Sequence, residues 1–105
     1  MQPRMAIELF FHRLARADLL GIYGYIEEQG GTARAGLFID RIEVACRGLT
    51  DFPEKGRPRN DIADGLRTWA LERRVLIVYR TTPERIEILR VLYAGRDFRA
   101  DDIPQ

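Results

Sequence analysis

The spacing of apolar and polar positions predicts a strand, two helices and three further strands. Ala6 to Phe11 is apolar on both sides apart from Glu8, the pattern of a short strand inside a sheet or along a covered edge. Leu19, Ile22, Tyr23 and Ile26 then recur at i, i+3, i+4 and i+7, one face of a helix. Gly21 and Gly24 lie inside this helix at a cost of roughly 1 kcal/mol each relative to alanine, which suits them to close approach of a neighbouring helix. A second stripe of Ala35, Phe38, Ile42, Ala45 and Leu49, widened by Ile39 and Cys46, predicts a second helix. Gly30-Gly31 ends the first helix through the left-handed conformation, and Thr32 is the expected N-cap of the second. The two form an antiparallel helical hairpin.

Asp51 to Arg59 reads as a loop, punctuated by Pro53, Gly56 and Pro58, and Asn60 to Gly65 continues it. Leu66 to Phe98 then reads as an antiparallel meander of three segments rich in β-branched and aromatic residues. Glu72-Arg73-Arg74 and Thr82-Pro83-Glu84-Arg85 are its turns, and Pro83 belongs in the second because it cannot donate to a ladder. The predicted class is α+β, in the order β-α-α-β-β-β, with the hairpin packed on one face of a small, mainly antiparallel four-stranded sheet. Residues 1–105 make a single domain. The last two strands are largely apolar on both faces, with Ile86, Ile88, Arg90 and Leu92 alternating against Glu87, Leu89, Val91 and Tyr93. The face away from the helices is then an exposed partner-binding patch, unless loop Asp51 to Gly65 or the tail covers it.

Charge narrows the function. The net charge is only +1, which argues against a general nucleic-acid binder, yet it is unevenly spread. Up to Phe52 six arginines face seven acids, whereas Pro53 to Arg99 carries eleven basic residues against seven acids. Lys55 is the only lysine. Arginine makes bidentate and stacked contacts that lysine cannot, so the excess suits an interface or a phosphate site. No apolar run approaches the ~20 residues of a membrane span, no signal peptide is expected in the N-terminal stretch, and a cytoplasmic location is expected. The single cysteine, Cys46, excludes an internal disulfide and a multi-cysteine metal site, and is expected to be a buried small hydrophobe. No metal site, phosphate loop or cofactor fingerprint is present, and no cofactor is expected.

Several blocks carry a resemblance. Ala15-Arg-Ala-Asp-Leu19 with Ile22 and Tyr25-Ile26, Phe52-Pro-Glu-Lys-Gly-Arg-Pro-Arg59, Gly65-Leu-Arg67, Val78-Tyr-Arg80, Ile88-Leu-Arg-Val-Leu92 and Gly95-Arg-Asp97 are similar, in order and spacing, to the ParE-type toxins of the ParE/RelE toxin–antitoxin superfamily. The resemblance implies the same β-α-α-β-β-β fold and a ParD-like antitoxin whose C-terminal segment, disordered alone, folds along the toxin in a hetero-oligomer. It also implies DNA gyrase as the target, with no catalysis, no membrane association and no sequence-specific DNA binding by this chain. Arg57, Arg67, Trp69, Arg80, Arg90, Tyr93 and Arg96 are the residues expected to meet antitoxin or target.

The competing reading is a ribosome-dependent ribonuclease of the RelE type, and a third is an inactive, antitoxin-binding member. Tyr93 stands where ParE-like sequences often carry histidine, and with Arg67, Arg80, Arg90 and Arg96 a phosphate cluster with a phenol can be drawn. An unperturbed tyrosine is a poor base, however, with a pKa near ~10. The one histidine, His12, sits just before the first helix and reads as a cap or a solvated loop residue. Lys55 reads as solvated, Trp69 as core or partner contact, and Arg57 and Arg59 as loop-positioning or acid-binding.

Overall fold

The computed structural model describes residues 7–93 and 99–104. Strand β1 (Glu8–Phe11) leads into helices α1 (Arg13–Gly30) and α2 (Thr32–Gly48), followed by β2 (Arg57–Pro58), β3 (Leu66–Leu71), β4 (Val75–Thr81) and β5 (Arg85–Tyr93). A 3₁₀ turn at Ala100–Asp102 closes the described chain. The class is the α+β arrangement expected, but the sheet has five strands, in the order β1-β5-β4-β3-β2. The extra strand is the two-residue β2, inside the stretch read as a loop, where Arg57 and Pro58 pair with Thr68 and Arg67. Proline is tolerated there because β2 is an edge. β1 runs parallel to β5, and the other pairings are antiparallel.

Both helices bury their predicted stripes. Ala15, Ile22 and Ile26 of α1 and Ala35, Phe38, Ile42 and Cys46 of α2 meet Val75, Ile77, Tyr79, Ile86, Ile88 and Val91 of the sheet. His12 is the N-cap of α1, its Nδ1 accepting from the Leu14 N–H at 3.1 Å. Replacing it with alanine should lower stability by about 1 kcal/mol, while asparagine should hold it, as thermal denaturation would show. One residue serves both helix ends. Gly31, at φ 89° and ψ 170°, closes α1 by donating to Glu27 and takes the N-cap position of α2. This backbone region is essentially glycine's alone, so Thr32 is the first helical residue and not the cap. Gly21 and Gly24 also differ from expectation. The hairpin packs through the Ile22 and Ile26 side, and none of the described residues lies within 4 Å of where either glycine's Cβ would be.

Two features of the sheet overturn the simple alternation. Val78 pairs with Arg90 while Tyr79 pairs with Ile88, which leaves Leu89 as an extra residue in β5. Such a bulge exchanges the faces beyond it. Ile86, Ile88, Val91 and Tyr93 therefore all point toward the helices, while Leu89 and Leu92 point away. The outer face is also not open. Ile62, Ala63 and Ile103 pack over Leu66, Val78, Leu89 and Leu92, each at most 3% exposed. The loop and the tail cover the apolar patch. The large apolar side chains left exposed lie mostly on the helices, among them Leu20, Tyr25, Leu37 and Val44, together with Phe52.

Candidate binding groove and arginine cleft

The pairing of β1 with β5 ends where Phe11 meets Ile88. From Leu89 to Tyr93, β5 has β4 on one side and no strand among the described residues on the other. Helix α1 runs past this edge, and the Asp18 carboxylate accepts the Val91 N–H at 2.9 Å. Between them lies a groove of about 410 Å³, with Ala17, Gly21 and Tyr25 on the helical wall and Val91, Leu92 and Tyr93 on the strand wall. Gly21, which the hairpin does not use, lines it.

At Tyr25 and Tyr93 the groove meets a second cleft, of about 490 Å³, where the hairpin faces the β3–β4 turn. Its floor is aromatic. Tyr25 and Tyr93 lie 5.4 Å apart, and Phe38 meets Tyr93 edge-on at 6.1 Å. The Arg74 guanidinium stands 4.5 Å over the Phe38 ring and donates to the Tyr93 hydroxyl at 2.9 Å. Arg41 stands 5.1 Å from the same ring and makes a two-pronged pair with Glu72 at 2.8 and 3.2 Å. The hydrogen bond from Arg41 holds the Glu72 carboxyl below the usual carboxylate range. The turn that presents these groups is strained: Glu72 and Arg73 both have positive φ, 53° and 57°. Asn-Gly is the favoured pair for two such positions. Glu72-Arg73→Asn-Gly should raise the melting temperature by roughly 5 °C while releasing Arg41, a gain readable by circular dichroism.

The predicted site residues separate into distinct environments. Arg67 donates to the Glu54 and Gly56 carbonyls at 3.2 and 2.7 Å and holds the loop. Arg80 and Arg85 both pair with Glu87, at 3.3 and 2.8 Å. Burial acts to raise the Glu87 carboxyl, but the two arginines outweigh it and keep it below its ordinary value. Arg90 is committed internally, with Asp18 at 2.7 and 2.8 Å and the Asp102 carbonyl at 2.9 Å. Trp69 is half-buried, and Lys55, expected to be solvated, stacks 4.2 Å from its ring. Arg57 is exposed on β2. Arg96 lies outside the described residues. The phenol-and-phosphate cluster is therefore not assembled from Arg67, Arg80 and Arg90. Tyr93 instead meets Arg74, Tyr25 and Phe38, which single-sequence reasoning left out of the site. The signal available was Arg74 in a two-sided charged turn, but its partners on α1 and α2 are remote in sequence. Burial pushes the Cys46 thiol up to about 12, which removes it as a nucleophile.

Comparison with known proteins decides the family. The family described as ParE toxin of type II toxin-antitoxin system, parDE, matches residues 9–98. The chain belongs to the ParE toxin family. It is 34% identical over 80 residues to Toxin ParE3 of Caulobacter vibrioides, covering 76% of this chain and 79% of that one. With Toxin ParE1 of the same organism it shares 30% over 88 residues, covering 84% and 90%. The fold is similar to a solved structure titled chromosomal ParDE TA system from P. aeruginosa, with a TM-score of 0.74 and 27% identity over 86% of this chain and 98% of that one. This ParE-family toxin thus keeps the fold of a ParDE component. No helix of the described residues is long and apolar enough to cross a membrane.

Proposed function

We propose that this ParE toxin acts on DNA gyrase when free, catalyses no reaction itself, and is held inactive in the cytoplasm by direct binding of a ParD-like antitoxin. The observation that carries the antitoxin half of the reading is the groove along α1. A strand edge with no strand neighbour among the described residues lies beside a helix face at Gly21, where none of the described residues would meet an added Cβ. A segment that is disordered alone can settle there, its backbone or apolar side chains filling what the chain leaves unfilled. The covered outer face supports docking on the helix side over the sheet's far side. Tyr93 lines this groove directly, while Arg90 holds its strand wall against α1. Arg57 and Trp69 near β2, and Arg80 on β4, remain candidates for the target surface, with Arg67 setting the loop at Glu54 and Gly56.

The gyrase half rests on membership of the family and on the engagement of Arg67, Arg80 and Arg90 with Glu54 and Gly56, Glu87, and Asp18. The test is purified toxin in a gyrase supercoiling and cleavage assay, run beside an assay for cleavage of ribosome-bound messenger RNA. Loss of supercoiling with accumulation of cleaved DNA supports the reading. Site-specific RNA cuts that vanish in Tyr93→Phe would overturn it in favour of a ribonuclease.

A further inference from the structure

We infer that the cleft at Arg74 is the seat for an acidic side chain of the antitoxin, flanked on the antitoxin by a large apolar residue. This rests on the antitoxin reading above and adds the place and the chemistry of the grip. Arg74 is a held cation with donor capacity to spare. Its position is set by the Phe38 ring face and the Tyr93 hydroxyl, and a guanidinium carries five N–H donors in a fixed fork. Arg41, Arg59, Arg80, Arg85 and Arg90 each have a carboxylate within salt-bridge distance. Among the described residues no carboxylate comes that close to Arg74, or to Arg34 on the α2 wall of the same cleft. A bidentate carboxylate is the anion this fork fits.

The surroundings select a protein side chain over a nucleic-acid strand. Tyr25 and Leu37, 50% and 62% exposed, form apolar shoulders on the two helices, and Gln29, Arg34 and Arg41 complete a lining in which Arg74 stands over an aromatic floor. That is the arrangement of an interface anchor. A phosphate backbone needs a track of cations, whereas the adjoining groove offers Ala17, Gly21, Val91 and Leu92, and its one charged wall residue is Asp18. The cleft and the groove share Tyr25 and Tyr93, so a segment lying along the free half of β5 arrives at Arg74 directly. The strained turn at Glu72 and Arg73 is what places the guanidinium there.

The experiment is calorimetric titration of the cognate antitoxin into the wild-type toxin and into Arg74→Glu, Arg74→Lys and Arg34→Glu, with thermal melts to confirm folding. Arg74→Glu should weaken binding by about thirtyfold or more, the scale of a central interface arginine. Arg74→Lys should fall between the two, since it keeps the charge and loses the fork. If charge reversal at Arg74 disturbs the fold, Arg34→Glu carries the test, with about tenfold weakening expected. A folded Arg74→Glu within twofold of wild type overturns the anchor and leaves the antitoxin reading intact. Normal antitoxin affinity with lost gyrase inhibition assigns the cleft to the target and also overturns it. A wild-type toxin that binds no antitoxin overturns the reading beneath.

Discussion

Replacing Asp18 with alanine should lower stability by about 3 kcal/mol, the scale of a buried ion pair left with one partner. The carboxylate takes both prongs of Arg90 at 2.7 and 2.8 Å and the Val91 N–H at 2.9 Å. Arg90 and Asp18 are only 12% and 14% exposed, so water from the adjoining groove replaces only part of what is lost. Without Asp18 a guanidinium stays pinned at the end of β5 with, among the described residues, Asp102 beside it, and a strand N–H loses its acceptor. The melting temperature should fall by roughly 12–20 °C, judged from chains of similar size. Asp18→Asn, which keeps an acceptor for Val91 but not the charge, should cost about half as much. Equal melting of wild type and Asp18→Ala would show that the pair does not hold α1 to β5.

A methyl group on Gly56 should be nearly as damaging, for a steric reason. A Cβ there would stand 2.5 Å from the Tyr79 hydroxyl oxygen, 2.6 Å from its ring and 2.9 Å from the Thr68 carbonyl. Tyr79 is fully buried, accepts the Gly56 N–H at 2.8 Å and donates to the Pro53 carbonyl at 2.8 Å. The loop must lift away from β4, and both hydrogen bonds go with it. Gly56→Ala should cost about 3 kcal/mol, from overpacking and lost hydrogen bonds together. Tyr79→Phe removes the same bonds without the clash and should cost about 1–2 kcal/mol. A denaturant series in which Tyr79→Phe is the worse variant would contradict the steric account.

Much of this architecture can be read from one sequence because helix stripes and strand runs are local. Ile22 and Ile26 in α1, and Ala35, Phe38 and Ile42 in α2, lie within a few turns of one another, and their burial follows from spacing. The bulge at Leu89 carries no glycine or proline, so nothing in the residues announces that β5 changes face there. Strand β2 is two residues long and contains proline, which no propensity argument selects. The cover over the outer face comes from Ile62, Ala63 and Ile103, scattered apolar residues in a loop and a tail. The candidate site was least legible of all. Tyr93 could be singled out, but its neighbours Tyr25, Phe38 and Arg74 come from α1, α2 and a turn, and only the folded chain brings them together.

On the proposed function, an antitoxin silences this ParE toxin by occupying it. The most direct measurement is gyrase supercoiling in the presence of a fixed amount of toxin as cognate antitoxin is titrated in. Free toxin should inhibit, and supercoiling should recover as the toxin–antitoxin complex forms. Gyrase that is unaffected at any toxin concentration, or inhibition that persists once the complex is fully formed, would contradict it.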